Sequence, residues 1–272
     1  MGRVEKAVIM ARGLGTRMRK ADAAATLDAA QSAAADAGVK AMIPIDRPFL
    51  DYVLSALADA GYKRACLVIG PEHHAVRDYF GVQSPPERIG VEFAIQAEPR
   101  GTADAVAAAE RFADGGRFLL LNSDNYYPAS ALEALGNLDG AGVALFDRDR
   151  MVSDGGIPEE RIGKFSVAEV GADGFLKRIH EKPSEETLRA LPAPVLVNMN
   201  CWLFPPVIFE ACRNIEPSPR GELELTAAVQ YAIDALGARF EAVALREAVL
   251  DLSGRADIAN VAGRLRALRP RP

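Results

Sequence analysis

Short apolar runs alternate along this chain with longer stretches in which apolar residues recur every three or four positions. The runs at 6–10, 64–70, 91–96 and 118–122 read as β-strands. The last, Phe118-Leu-Leu-Leu-Asn122, is so uniformly apolar that a central position among parallel neighbours is expected. Helical patterns lie between them. One covers 21–38, rich in alanine and stopped by Gly38, with small residues that predict weak packing. A second covers 48–60, with Leu50, Val53, Leu54 and Leu57 on one face and Gly61 at its end. A short one covers 73–80, and another, 102–113, follows a glycine-containing turn.

The second half changes character. Strands are expected at 142–146, 195–204, 240–245 and 248–252, and a hairpin pairs 164–170 with 175–179 around Ala172-Asp173-Gly174. Helices are expected at 206–213, 222–236 and 257–268, while 147–161 reads as a charged connection. The order β-α-β-α-β-α-β followed by mixed elements predicts an α/β fold. It is Rossmann-like: a doubly wound, mostly parallel but mixed sheet flanked by helices, with a smaller β-rich part. No stretch is poor enough in apolar residues to separate two units. Residues 1–272 are therefore expected to form a single domain with halves 1–140 and 141–272.

Composition narrows the class. Of 272 residues, 49% are hydrophobic and 25% charged, as in ordinary globular proteins, and the net charge of −5 argues against nucleic-acid binding. No apolar run is long enough for a membrane span, and the chain enters its first strand at once, so neither a membrane partner nor a signal peptide is expected. Cys66, Cys201 and Cys212 lack metal-ligand spacing and are expected to be reduced and buried, in a cytoplasmic protein. The oligomeric state is open, a homo-oligomer included.

Candidate chemistry collects at the strand ends. After the first strand comes Met10-Ala-Arg-Gly-Leu-Gly-Thr-Arg-Met-Arg19, a glycine turn followed by arginines, which suits an anion; an ordinary strand-to-helix turn is the alternative. Asp124 and Asp251 each end an apolar strand. Singly, each reads as a cap or turn residue; beside a phosphate-binding loop, the pair suits Mg²⁺. Arg17, Lys40 and Lys182 are ordinary solvated charges one by one and a polyphosphate clamp together. Pro183 stops the strand before it, leaving Glu181 to accept from hydroxyls. His73 and His74 are expected to be exposed, and no spacing supports a transition metal or a nucleophilic triad.

The motifs, taken in order, resemble the sugar-1-phosphate nucleotidylyltransferases. Ala11-Arg-Gly-Leu-Gly-Thr-Arg-Met18 is similar to the family's Ala-Gly-Gly-x-Gly-Thr-Arg-Leu. Val39-Lys-Ala-Met-Ile-Pro-Ile45 resembles its Pro-Lys segment, and Pro48-Phe-Leu-Asp-Tyr-Val-Leu54 the helix that follows. Gln96-Ala-Glu-Pro-Arg-Gly-Thr-Ala103 resembles its base-recognition loop, and Leu121-Asn-Ser-Asp-Asn125 its metal-binding strand end. His180-Glu-Lys-Pro183, Arg220-Gly-Glu-Leu-Glu-Leu-Thr226 and Val249-Leu-Asp-Leu-Ser-Gly254 complete the series. Members using glucose-1-phosphate with UTP or dTTP are the nearest in motif.

The resemblance implies roles. Ala11, Gly13, Gly15, Thr16 and Arg17 would hold a nucleoside triphosphate, with Arg17 on the β and γ phosphates and Lys40 meeting charge that develops in the transition state. Gln96, Gly101 and Thr102 would hold the base end. Asp124 and Asp251 would hold Mg²⁺. Glu181, Gly163 and Asn198 would line a sugar pocket, with Lys182 on the sugar phosphate. The implied reaction is attack of a sugar-1-phosphate oxygen on the α-phosphorus, releasing pyrophosphate. Other sugar or cyclitol phosphates with ATP, GTP or CTP stay open, and no acyltransferase β-helix extension is expected. Arg12 stands where the family has glycine, Asn200 replaces another, Arg255 replaces a Thr or Ser, and 21–38 is inserted. These departures leave a second reading open, a sugar-nucleotide sensor without turnover. A dinucleotide-dependent dehydrogenase is disfavoured because Met18 stands where its third glycine belongs and strand two runs into Gly70-Pro71-Glu72.

Overall fold

A computed structural model describes residues 2–22 and 25–272 of the chain; Met1, Ala23 and Ala24 lie outside the described residues. The strands are β1 (Lys6–Met10), β2 (Arg64–Ile69), β3 (Gly90–Ile95), β4 (Phe118–Asn122), β5 (Asn125–Tyr126), β6 (Ala141–Asp147), β7 (Val167–Val170), β8 (Leu176–His180), β9 (Leu196–Phe204), β10 (Phe240–Leu245) and β11 (Leu250–Asp251). One sheet runs β10-β6-β9-β4-β1-β2-β3, with β7 and β8 joined at β9, and β11 pairs with β5 apart from it. Strands from both halves of the chain share this sheet.

Alternating strand residues feed two cores on opposite faces. Ala7, Ile9, Leu119 and Leu121 pack toward the helices Phe49–Asp59, Ala129–Asn137 and Asp257–Leu265. Val8, Phe118, Leu120 and Trp202 pack toward Thr102–Ala108, Val207–Arg213 and Leu225–Asp234. Burial on both faces accounts for the uniformly apolar β4.

β4 is central, but only one of its neighbours is parallel. β1 runs with it and β9 runs against it. That reversal brings the first residues of β9 to the edge where β4 ends. Several elements are also shorter than their patterns. The alanine-rich helix spans Ala29–Ala37, because Asp28 and Gln31 cap its start reciprocally. The expected strand at 248–252 pairs only over Leu250–Asp251. The charged connection carries two short helices, Arg148–Ser153 and Glu159–Ile162.

Candidate active site

The order of the strands reverses at β1, with β2 on one side and β4 on the other, and a crevice opens outside the carboxyl ends there. Two adjoining cavities occupy it, one of about 520 Å³ and one of about 220 Å³. They share Thr102, Asn122, Asp124 and Asn200. The larger is lined by Ala11, Gly13, Thr16, Lys40, Gln96 and Gly101. The smaller is lined by Arg17, Glu181, Asn198 and Asp251.

The glycine turn is built by close approach. Gly15 has φ 60°, and a Cβ on it would lie 2.1 Å from the carbonyl oxygen of Gly38. The inserted helix is therefore seated directly against the turn. Arg19 donates to the carbonyl of Ala37 at 2.9 Å, and Arg255 ties Met18 to Asp36. No side chain caps the short helix Thr16–Arg19. In the loop before Thr102, Gly101 has φ 123°, and its Cβ would lie 2.4 Å from the carbonyl oxygen of Leu223. Thr102 is committed to this junction, since its hydroxyl accepts from the Leu225 N–H at 2.9 Å.

Lys40 and the carboxylates form the charged centre. Lys40 Nζ lies 2.6 Å from Asp124 Oδ2. Asp251 is brought beside Asp124 by the β5–β11 pairing, in which it opposes Asn125. A relay of amides orients it: Asn122 donates to Asn125 at 2.9 Å, and Asn125 donates to Asp251 Oδ1 at 3.0 Å. Burial first, and the charge of Asp124 second, push the Asp251 carboxyl up to about 6, against the pull of Arg161, Ser253 and Lys40. Arg161 lies 3.4 Å from Asp251 Oδ2 and is itself held by Asp257 at 2.7 Å.

This donor set fits Mg²⁺. Among the described residues Asp251 Oδ2 is buried with no hydrogen bond, only the ion pair to Arg161 at 3.4 Å, and Asp124 already attracts a cation, the Lys40 ammonium. A hard divalent ion takes such oxygens together with substrate phosphates. Among the described residues no three His, Cys, Asp or Glu gather as a complete metal cage. Cys66, Cys201 and Cys212 are all buried, and burial pushes the thiols of Cys66 and Cys212 up to about 12 and that of Cys201 well above its ordinary value, which disfavours the thiolate.

The smaller cavity depends on a kink in β9. Its register with β6 shifts from Ala144↔Cys201 to Leu145↔Asn198, so Met199 and Asn200 bulge. Asn200 has φ 56°. Asparagine is among the few residues other than glycine that tolerate this conformation, which explains why it replaces one here. The buried Tyr127 hydroxyl pins the bulge, donating to the carbonyl of Met199 at 2.7 Å and accepting from the Asn122 N–H at 3.2 Å.

Gly15, Gly163 and Lys182 line neither cavity, and Arg17 lines only the smaller one, together with Lys164 and Ser166. His73 is not simply exposed. Its Nδ1 accepts from the Gly70 N–H at 3.0 Å, and burial more than Arg12 and Arg19 holds it below its ordinary range against Glu72. Asn125 and Glu224, each inside a stretch that the motifs mark without being singled out, and Arg161, which no motif marks, also belong to the site's surroundings.

A model of the nucleotidyl transferase family matches residues 6–248. The chain belongs to the nucleotidyl transferase family. Among curated members, a glucose-1-phosphate thymidylyltransferase of Streptomyces antibioticus is 31% identical over 237 residues, covering 84% of this chain and 57% of that protein. The bifunctional protein GlmU of Methanococcus vannielii is 30% identical over 196 residues, covering 72% of this chain and 42% of that protein. The UTP--glucose-1-phosphate uridylyltransferase AglF of Haloferax volcanii is 25% identical over 231 residues, covering 84% and 83%. The chain thus spans about half the length of the first two. A UDP-glucose pyrophosphorylase solved with UDP-glucose superposes with a TM-score of 0.74 at 20% identity, over 98% of this chain and 100% of that one. At that identity the likeness concerns the fold. Among the described residues no helix is long and apolar enough to cross a membrane.

Proposed function

We propose that this chain condenses a nucleoside triphosphate with a sugar-1-phosphate, giving an NDP-sugar and pyrophosphate, as one unit across both halves. The observation that carries the reading is that two cavities of unequal size meet at Asp124. The larger suits the nucleotide and the smaller the sugar phosphate, so the reacting groups would meet beside the aspartates. Glucose-1-phosphate with UTP or dTTP is the leading pair, in line with the thymidylyl- and uridylyltransferase relatives.

In this reading a phosphate oxygen of the sugar-1-phosphate attacks the α-phosphorus, and the bond to the β-phosphate oxygen breaks. A phosphate monoester is already nucleophilic, so no general base is required. Asp124 and Asp251 would hold Mg²⁺, which supplies charge neutralisation at the phosphates when bound. Ala11, Gly13 and Thr16 would position the triphosphate from the wall of the larger cavity, Gly15 shapes the turn that carries them, Arg17 would reach the β and γ phosphates from the wall of the smaller cavity, and Lys40 shifts from Asp124 to phosphate as charge develops. Gln96, Gly101 and Thr102 close the base end. Glu181 and Asn198 meet sugar hydroxyls. Lys164, on the wall, joins Lys182 as a partner for the sugar phosphate, and Gly163 ends the helix that presents it.

The test is a matrix of ATP, CTP, GTP, UTP and dTTP against a panel of sugar-1-phosphates, reading pyrophosphate release and product mass. Turnover with at least one pair is expected. Nucleotide binding with no turnover for any pair would replace this reading with the sensor.

A further inference from the structure

The chain buries an arginine where the similar motif has glycine. Arg12 is 8% exposed. Its Nε donates to Glu72 Oε1 at 3.4 Å, a long bond to a carboxylate that is 50% exposed. Its Nη1 is buried with no hydrogen-bond partner. A guanidinium carries five N–H donors and keeps its charge at any ordinary pH. A buried one with a single weak partner is costly unless a ligand brings an acceptor. Glycine at this place would avoid the cost altogether.

The position along the crevice says which part of a ligand it meets. Asp124 follows β4, the glycine turn follows β1, Glu72 lies beyond β2, and Gln96 follows β3. These strands are neighbours in that order. Arg12 and Gln96 line the same large cavity, and Arg12 leans toward the β2 end, away from Asp124. With nucleotidyl transfer at Asp124, the base lies toward Gln96. Glu72 pairs with Arg12, so this end of the cavity is an ion pair and not a bare cation, and it offers a phosphate little net attraction. A neutral base needs no such attraction.

Gln96 supplies the second half of the argument. Its Nε2 donates to the carbonyl of Gly101 at 3.0 Å and to Asp104 Oδ2 at 2.9 Å. A carbonyl and a carboxylate only accept, so the amide orientation is set by its partners. Gln96 lines the cavity, and with Nε2 so committed its Oε1 remains as an acceptor that no donor among the described residues takes up.

We propose that Arg12 is a specificity-determining residue of the nucleotide site, its guanidinium donating to a base carbonyl while Gln96 Oε1 accepts from the adjacent ring N–H. A ring N–H beside a carbonyl is an imide edge, which uracil, thymine and guanine carry. With the carbonyl taken as O4 of uracil or thymine, or O6 of guanine, cytosine and adenine present an amino group there and an unprotonated ring nitrogen beside it. They would set acceptor against acceptor at Gln96 and donor against donor at Arg12. The inference rests on the nucleotidyl-transfer reading only in placing the base at this end of the cavity.

UTP and CTP share their triphosphate and differ at this edge, so they separate base reading from phosphate binding. Calorimetry with Mg²⁺ and no sugar phosphate would compare the intact chain with Arg12→Gly and Arg12→Ala. The intact chain is expected to prefer UTP. Either variant should lose about tenfold or more in UTP affinity and stay within about twofold for CTP. Equal losses for both nucleotides would make Arg12 a phosphate contact and overturn the proposal, as would an intact chain without preference. Binding needs no turnover. A silent substrate matrix would therefore sink the catalytic reading and leave this result standing, whereas failure of both nucleotides to bind would sink both.

Discussion

At the scale of single residues, the candidate site is a small set of charges, and the proposed reaction requires their partners to change. Lys40 Nζ and Asp124 Oδ2 pair at 2.6 Å. In the proposed reaction that ammonium meets phosphate charge that grows toward the transition state. Lys40→Ala should therefore lower kcat by roughly 100-fold or more with little change in nucleotide Kd. Stopped-flow or steady-state kinetics beside calorimetry would check it, and a pure rise in KM would move Lys40 to ground-state binding. Asp124→Asn should abolish turnover with the fold intact by circular dichroism; near-normal activity would remove it from the metal site. On the sugar side, Lys164 lines the cavity and Lys182 does not. Lys164→Ala should raise the KM for sugar-1-phosphate more than Lys182→Ala does, and the opposite order would restore Lys182 as the main contact.

At the scale of elements, glycine turns and one bulge decide where those residues point. The bulge in β9 turns Asn200 into the wall shared by both cavities. Asn200→Gly should fold normally, while Asn200→Val should cost roughly 1–2 kcal/mol of stability, or more once the lost side-chain bonds are counted. Chemical denaturation of the two variants would show it, and equal stability would mean that the kink relaxes. The inserted helix Ala29–Ala37 is another such element. Arg255 fastens it by donating to the carbonyl of Met18 at 2.9 Å and pairing with Asp36. Arg255→Ala should speed hydrogen exchange over 29–37 and weaken nucleotide binding severalfold. Unchanged exchange would show that the Gly15–Gly38 contact alone holds the helix.

At the scale of the whole molecule, the site is a cost that the fold carries. Two carboxylates are held together under cover, and one of them, Asp251, is raised to about 6 from 3.8. A carboxyl whose folded value is raised favours the folded state while protonated. That stability is complete below the unfolded value and is lost as pH rises through about 6. The metal-free chain should therefore lose part of its thermal stability between pH 4 and pH 6, and Mg²⁺ with nucleotide should restore more of it at pH 8 than at pH 5. Asp251→Asn should flatten the metal-free slope. Melting curves across pH would read both, and an unchanged slope in the variant would assign it to other groups, with Asp51, also raised by burial, the first to examine.

Much of this was legible along the chain because the signals are local. Strand and helix periods, the glycine turn at Gly13-Leu-Gly15, and aspartates ending apolar strands need only near neighbours in sequence. So do the motifs that place the chain in its family. The antiparallel course of β9 was not legible, because strand direction depends on pairing between residues far apart, such as Leu119 with Leu203. Nor were the Asn122–Asn125–Asp251 relay, the Arg161 bridge or the seating of 29–37 on the glycine turn, each made by segments that meet only in three dimensions. The sequence by itself determined the fold class, the family and the residue types of the site, since periodicity and motif chemistry are properties of adjacent positions. Only the tertiary structure decided which of those residues face one crevice, that its two cavities meet at Asp124, and that Arg12 is buried with an unsatisfied guanidinium, because burial and hydrogen-bond partners are set by long-range packing.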